Sequence, residues 1–335
     1  MGKLKNNLRK ALFSVMSDKM IDRFYHVYYR LRFPKEMSRR CSFGEKHPER
    51  TFYVIRPRAD CVEGLMSLFM NVTKHIYFAR QNGYEPIVDF AHYKTQYYDP
   101  EREGNNAWED YFTQPTRYTL DEVYQSKHVI LSGLEIEWYH PSLFERSFSD
   151  DALRALHGEI FSAIRFSEPA ERLAGEEQIR LGLDYDRTLA VYLRGTDYVA
   201  LKPAGHPVQP TAAQAAEVID SYLEKYDIDR IFLVTEDGGI YEEMKHRYAD
   251  RLTVVSFDRF VTGYCGKGYL SQDKSVTELS ASPYQRGMNY LVKLMILSRC
   301  AYFIGGSTMG SWAACLFSEQ NFLDKYVFDL GVYGK

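Results

Sequence analysis

The sequence predicts an α/β protein of two domains, each built on a parallel sheet. Three observations carry that prediction. Short β-branched and apolar runs alternate with helical patterns along most of the chain. Thr51–Arg56, Val62–Asn82 and Glu85–Phe90 follow one another as strand, helix and strand, the sequence form of a βαβ unit. In the second half, three apolar runs each pass abruptly into a cluster of small or charged polar residues. At 335 residues the chain has the length of two ordinary domains. The division expected is a basic N-terminal segment over 1–45, one α/β domain over 46–165 and a second over 166–335.

Composition narrows the function classes. The chain is 45% hydrophobic and 26% charged, a globular mixture, and its net charge of −3 argues against general nucleic-acid binding. The five cysteines, Cys41, Cys61, Cys265, Cys300 and Cys315, show neither a CxxC pair nor metal-ligand spacing. Such a scattered, odd set suits reduced thiols and a cytoplasmic location. No apolar run approaches the ~18 residues of a membrane span, and no signal peptide is visible.

Taken in order, the first forty residues hold eleven Lys or Arg against three Asp or Glu. Leu4, Leu8, Leu12 and Val15, then Ile21, Phe24, Tyr25, Tyr28 and Leu31, fall at helical spacing. Residues 1–32 can therefore lie on an anionic membrane at the cytoplasmic face, or pack on the domain with a solvated basic side. The helix over 62–82 buries Leu65, Leu68, Phe69, Val72, Ile76 and Ala79, with Gly83 as its stop. Asp89, His92 and Tyr93 stand at or just past the end of the next strand, where they could meet an acceptor or close a turn. A short helix is expected over 105–112, a strand over 128–132 and two helices between 151 and 183.

The second half begins with a strand, 188–193, that ends in Arg194-Gly195-Thr196-Asp197. Ligands of open α/β sheets bind beyond the carboxyl ends of strands. Arg194 offers a planar, permanently charged fork suited to phosphate, and Gly195 lets backbone N–H groups approach. The alternative is an ordinary turn in which Asp197 pairs with Arg194. Next come a loop with His206, a helix capped by Thr211 and a strand over 230–235 that runs into Thr235-Glu236-Asp237. A helix over 240–248, a strand over 252–256, a loop over 258–282 and a helix from Ser282-Pro283 to Arg299 follow. A last strand, 301–304, leads through Gly305-Gly306-Ser307-Thr308 into a helix whose free N–H groups favour an anion. Neither the P-loop Lys nor GxGxxG spacing is present. Together the three strand ends point to a diphosphate-containing nucleotide.

The stretches 191–197, 205–207, 231–237 and 297–308 resemble, in order and spacing, landmarks of the fucosyltransferases. They resemble the α1,6 enzymes, including the nodulation type, and the related protein O-fucosyltransferases, and 307–314 is similar to the α1,2 enzymes. The resemblance covers about residues 188–316. It implies a GT-B fold of two Rossmann-like domains, with GDP-fucose held in the C-terminal one and the glycan acceptor on the N-terminal side. It further implies inversion at the anomeric carbon, with neither metal nor cofactor. Residue by residue, Arg194 matches the diphosphate-binding Arg, Glu236 and Asp237 the acidic pair, Ser307 and Thr308 the hydroxyls near the phosphates, and His206 a loop His. Gly195, Thr235 and Gly306 complete the expected donor site.

The chain departs from that pattern at Tyr192, where the family has His, at Gly195, where it has a second Arg, and at Lys202, where α1,6 enzymes have a carboxylate. The catalytic base is consequently open among Asp197, Asp89 and His92. The leading expectation is fucosyl transfer to a bacterial surface or capsular polysaccharide. Transfer of another GDP- or UDP-sugar, and a catalytically silent nucleotide-binding protein, are the alternatives.

Overall fold

A computed structural model describes residues 20, 27–28, 30–57, 63–102, 104–133, 141–264, 268, 270, 282–319 and 322–334. The amphipathic segment expected over 1–32 therefore falls almost wholly outside the described residues. Among those described there, Met20, Val27 and Leu31 are helical and exposed. No helix among the described residues is long and apolar enough to cross a membrane.

The first sheet is formed by β1 (Arg39–Cys41), β2 (Lys46–Ile55), β3 (Glu85–Val88) and β4 (Ser126–Leu131), in the order β1-β4-β2-β3. Strand β2 pairs in parallel with both β3 and β4. Edge strand β1 runs antiparallel to β4, so this sheet is mixed rather than wholly parallel. The link from β1 to β2 is too short for a parallel crossover, which needs a dozen or more residues. It folds instead against the start of β4, where Phe43 N–H donates to Ser126 O (3.0 Å) and Lys46 N–H to Gln125 O (3.0 Å).

Helix α1 (Leu65–Gln81) crosses from β2 to β3 and buries Leu65, Leu68, Phe69, Val72 and Ile76, the face expected from its spacing. It stops as expected, with Gly83 in the left-handed region at φ +69°. Residues 105–112 form turns rather than the expected helix. The Asn106 side chain explains the difference: its Oδ1 accepts from Phe90 N–H (3.1 Å) and its Nδ2 donates to Val88 O (2.7 Å). These bonds pin the segment to the end of β3 in place of an i→i+4 ladder. The one-turn α2 (Leu120–Val123) carries a complete Thr119/Glu122 capping box.

Helices α3 (Asp150–Phe161) and α4 (Glu168–Leu181) are the two expected between 151 and 183, and they lead into the second sheet. There β5 (Thr188–Tyr192), short α5 (Thr196–Leu201), α6 (Ala212–Lys225), β6 (Arg230–Val234), α7 (Gly238–Tyr248) and β7 (Leu252–Thr253) are followed by α8 (Pro283–Arg299), β8 (Tyr302–Gly306), α9 (Met309–Phe317) and β9 (Asp324–Phe328). The order is β7-β6-β5-β8-β9 and every pairing is parallel. The fold is thus two Rossmann-like α/β units. Strand β7 is shorter than the expected 252–256 because Ser256 N–H donates to Glu177 of α4 (2.8 Å), drawing the chain away from β6. Residues 271–281 of the expected 258–282 loop lie outside the described residues.

One apolar cluster joins the units. Phe69 of α1 meets Phe317 of α9 edge to face at 5.4 Å, and Phe161 and Phe166 pack on the same Phe317 ring. Within this core His75 is buried on α1 with its Nδ1 2.9 Å from Tyr53 Oη. Burial, aided by Lys74, holds its pKa down to about 3 from 6.5. The folded state thus binds fewer protons than the unfolded one between those values. Its contribution is full above pH 6.5 and is lost as pH falls towards 3, by up to about 1.4 kcal/mol per pH unit. Denaturant titrations of parent and His75→Gln between pH 7.5 and 5 check this: the variant should show a shallower pH slope, and equal slopes would assign the effect elsewhere.

Candidate functional site

In the second sheet the chain starts at β5, builds β6 and β7 on one side, then returns to build β8 and β9 on the other. The order therefore reverses between β5 and β8, and the crevice beyond their carboxyl ends is the position at which such sheets bind ligands. Arg194 leaves β5 on one side of that crevice and Gly306-Ser307 leave β8 on the other. The end of β6, next to β5, contributes Thr235, Glu236 and Asp237. The three strand ends that stand apart in the sequence are thus adjacent.

Arg194 sits among carboxylates. Its Nη2 donates to Asp197 Oδ1 (3.1 Å) and Oδ2 (3.2 Å), and its Nε lies 3.9 Å from Glu236 Oε1. The guanidinium also lies 4.5 Å from the Tyr198 ring centre, and Tyr198 meets the His206 ring edge to face at 5.3 Å. Burial disfavours its charge, but Glu236 first, and then Tyr192, Asp197 and Tyr198, outweigh this and raise its pKa further. Glu236 is raised as well, burial outweighing the opposing pull of Arg194. The side chain of Arg194 stays one-quarter exposed, and its Nε has no hydrogen-bond partner among the described residues. The Arg194–Asp197 pair of an ordinary turn is therefore present, within a larger cluster.

The three positions at which the chain departs from the fucosyltransferase pattern lie around this cluster or beside it, and packing accounts for the one at Gly195. A Cβ on Gly195 would stand 2.3 Å from Asp237 Oδ2, so no side chain fits where the family carries a second Arg. Backbone takes its place: Gly195 N–H donates to Glu236 Oε1 (3.2 Å) and Thr196 N–H to Asp237 Oδ2 (3.0 Å). Tyr192 is buried, its hydroxyl 3.4 Å from that of Tyr290 on α8. A Cβ on Gly310 would come within 2.5 Å of Tyr192 Oη and 2.7 Å of Tyr290 Oη, so the start of α9 closes on this pair. Lys202 is exposed at the end of α5, with φ +44°.

Several expected ligand groups have structural partners of their own. Asp237 caps α7, accepting from Gly239 N–H (2.8 Å) and Ile240 N–H (3.1 Å), and Thr235 Oγ1 accepts from Asp237 N–H (3.1 Å). Thr308 caps α9 through Ser311 N–H (3.1 Å). Asp197 is fully buried, with Oδ2 also accepting from Leu270 N–H (3.0 Å). Ser307, by contrast, is partly exposed. Gln209 adds a group the sequence reading missed. It is buried, its Oε1 has no partner among the described residues, and a Cβ on Gly306 would lie 2.3 Å from that oxygen.

Asp89 and His92 are placed together, but on the first sheet, just past β3. Asp89 is fully buried and accepts from the backbone of Ala91 (3.1 Å) and His92 (2.9 Å), from His92 Nδ1 (3.0 Å) and from Tyr124 Oη (2.6 Å). The same loop reaches the second unit, where Arg286 of α8 donates to Gln96 O (2.6 Å) and lies 5.5 Å from the Tyr97 ring centre. Among the described residues, no three His, Cys, Asp or Glu side chains are grouped to hold a metal ion.

No family model and no curated protein sequence matches the chain. Among solved structures it is similar to the fucosyltransferase NodZ from Bradyrhizobium, with TM-score 0.48, 13% identity, and 85% of this chain and 97% of that one covered. It is also similar to POFUT1 in complex with GDP (TM-score 0.38, 13% identity, 84% and 74% covered). A variant of Arabidopsis thaliana FUT1 in complex with GDP gives TM-score 0.46 at 8% identity, with 85% and 72% covered.

The close approach at Gly195 yields a stability prediction. Gly195→Ala should displace Asp237 from the α7 cap and cost about 1–3 kcal/mol. Gly158→Ala, on α3 where a Cβ meets nothing within 4 Å, should be neutral or gain up to about 1 kcal/mol. Thermal unfolding of the two variants beside the parent makes the comparison, and equal stabilities would contradict the packing described at Gly195.

Proposed function

We propose that the chain is a glycosyltransferase that binds a nucleoside-diphosphate sugar beyond β5 and β8. One observation carries this reading: the sheet reverses its order between a partly exposed Arg194 and a Gly-Gly-Ser turn entering α9. A phosphate there would take the free N–H groups at the α9 start and the Ser307 hydroxyl, and would compete with Glu236 for Arg194. As the sugar departs, charge grows on the β-phosphate, and groups that bind it more strongly in that state accelerate the step.

The resemblance of residues 188–316 to the fucosyltransferases favours GDP-fucose as donor and inverting transfer without a metal. The acceptor class that fits is a bacterial surface or capsular glycan assembled on the cytoplasmic side of the membrane. The basic segment 1–32 would supply peripheral contact with anionic lipid. Deleting it should lower sedimentation with anionic vesicles and leave GDP affinity unchanged; equal sedimentation would favour a packed helix.

A thermal-shift comparison of GDP, UDP, ADP and CMP tests the donor, with selective stabilisation by GDP expected and a UDP-only response against it. In turnover of GDP-fucose, Arg194→Lys keeps the charge and loses the fork, so the rate should fall at least about tenfold, equivalent to ~1.4 kcal/mol. Ser307→Ala removes one neutral hydrogen bond and should cost about 0.5–1.5 kcal/mol. EDTA should change neither. Near-full activity of Arg194→Lys would remove Arg194 from the phosphate site, and loss of parent activity in EDTA would remove the metal-free mechanism.

A further inference from the structure

The cluster Asp89, His92 and Tyr124 has a geometry that its turn alone does not require. An Asx turn uses one carboxylate oxygen, and Asp89 Oδ1 serves Ala91 and His92 N–H in that way. Beyond that turn, Oδ2 accepts from Tyr124 Oη at 2.6 Å, and His92 Nδ1 lies 3.0 Å from Oδ2 and 3.2 Å from Oδ1. A carboxylate is acceptor-only when ionised, so Nδ1 carries the proton and the lone pair lies on Nε2. The Tyr124 ring meets the imidazole edge to face at 5.1 Å and fixes it from a second side. Yet the His92 side chain is 61% exposed while Asp89 is 0% exposed. A buried carboxylate and a half-buried tyrosine thus hold a solvent-facing nitrogen in one orientation, and that nitrogen has no partner among the described residues.

The position suits the acceptor. Strands β2, β3 and β4 are parallel, so Asp89 and His92 stand at the carboxyl edge of their sheet. A few residues further along the same loop, Gln96 and Tyr97 contact Arg286 of α8. Tyr290, one turn on, reaches Tyr192, two residues before Arg194. Phe43, partly exposed, packs on Tyr124 at 5.0 Å and gives an apolar surface of the kind that meets a sugar ring.

The geometry points to His92 as the proton acceptor for the attacking hydroxyl, with Asp89 and Tyr124 as positioning residues. This rests on the sugar-nucleotide reading above. In the step, Nε2 takes the proton of an acceptor hydroxyl as its oxygen bonds to the anomeric carbon. The bond from that carbon to the β-phosphate oxygen breaks, its electron pair leaves on the nucleoside diphosphate, and the exposed imidazolium returns the proton to water. Asp89 holds the ring through Nδ1 and stabilises the imidazolium. The arrangement also separates the three base candidates, since Asp89 and Asp197 are fully buried with their oxygens occupied.

GDP release from GDP-fucose with water as acceptor tests this on the full chain, alongside GDP affinity and thermal stability. His92→Ala should lose at least about tenfold in kcat, within the range of general-base catalysis, with GDP affinity unchanged. Added imidazole should restore part of the loss in His92→Ala and none in an Arg194→Lys control. Azide, a nucleophile with no proton to lose, should support equal rates in parent and His92→Ala. Asp89→Asn should lower kcat without changing GDP affinity. Unchanged kcat in a folded His92→Ala protein, or a loss that imidazole leaves untouched, would overturn the assignment while the donor site stands. A parent that neither binds GDP nor releases it from GDP-fucose would overturn both.

Discussion

The organisation of the second unit depends on how the Arg194 guanidinium is held. A charge placed at the end of a buried strand is costly unless carboxylates surround it, and here Asp197 and Glu236 do so. Their demands shape the neighbourhood. Gly195 must lack a side chain so that Asp237 can approach, and Thr196 is driven to φ +43° as its N–H turns to Asp237. Asp237 in turn starts α7, and Leu270 closes over Asp197. The same clamp keeps the guanidinium charged and in place beside the crevice. A phosphate that displaced a carboxylate would meet a group already oriented.

The balance in that cluster is between two carboxylates of different character. Asp197 is sealed, bonded on both oxygens and adjacent in the chain, so it acts as a fixed anchor. Glu236 is one-quarter exposed, stands at the longer distance and has a raised pKa. Of the two it is the cheaper to release. An incoming diphosphate would compete for Arg194 mainly at its expense.

Much of this was legible because the signals were local. Thr211 and Ser282-Pro283 mark helix starts through caps that the chain forms with its own next turn, and Gly83 marks a stop through its backbone freedom. The three polar strand ends were legible as a set because parallel strands bring their carboxyl ends to one edge. What the sequence hid depends on long-range contact. Tyr198 looks like any helix aromatic until it lies on Arg194, and Gln209 like any loop amide until Gly306 packs beneath it. The pairing of Tyr192 with Tyr290 spans almost a hundred residues. Residues 105–112 carry a helical pattern, but the Asn106 side chain outcompetes the helix. Thr235, Asp237 and Thr308 show a further ambiguity, since the residue types that bind phosphate are also those that cap helices and close turns.

The central claim is that Arg194 exchanges a carboxylate for the diphosphate of the donor. Calorimetric titration of GDP and of guanosine into the parent and into a folded Arg194→Ala variant tests it most directly. The account predicts that GDP binds the parent at least about a hundredfold more tightly than guanosine, a gap of ~2.7 kcal/mol. In Arg194→Ala that gap should shrink at least about tenfold while guanosine affinity holds. An equal gap in both proteins would place the diphosphate elsewhere and leave Arg194 as a structural ion pair.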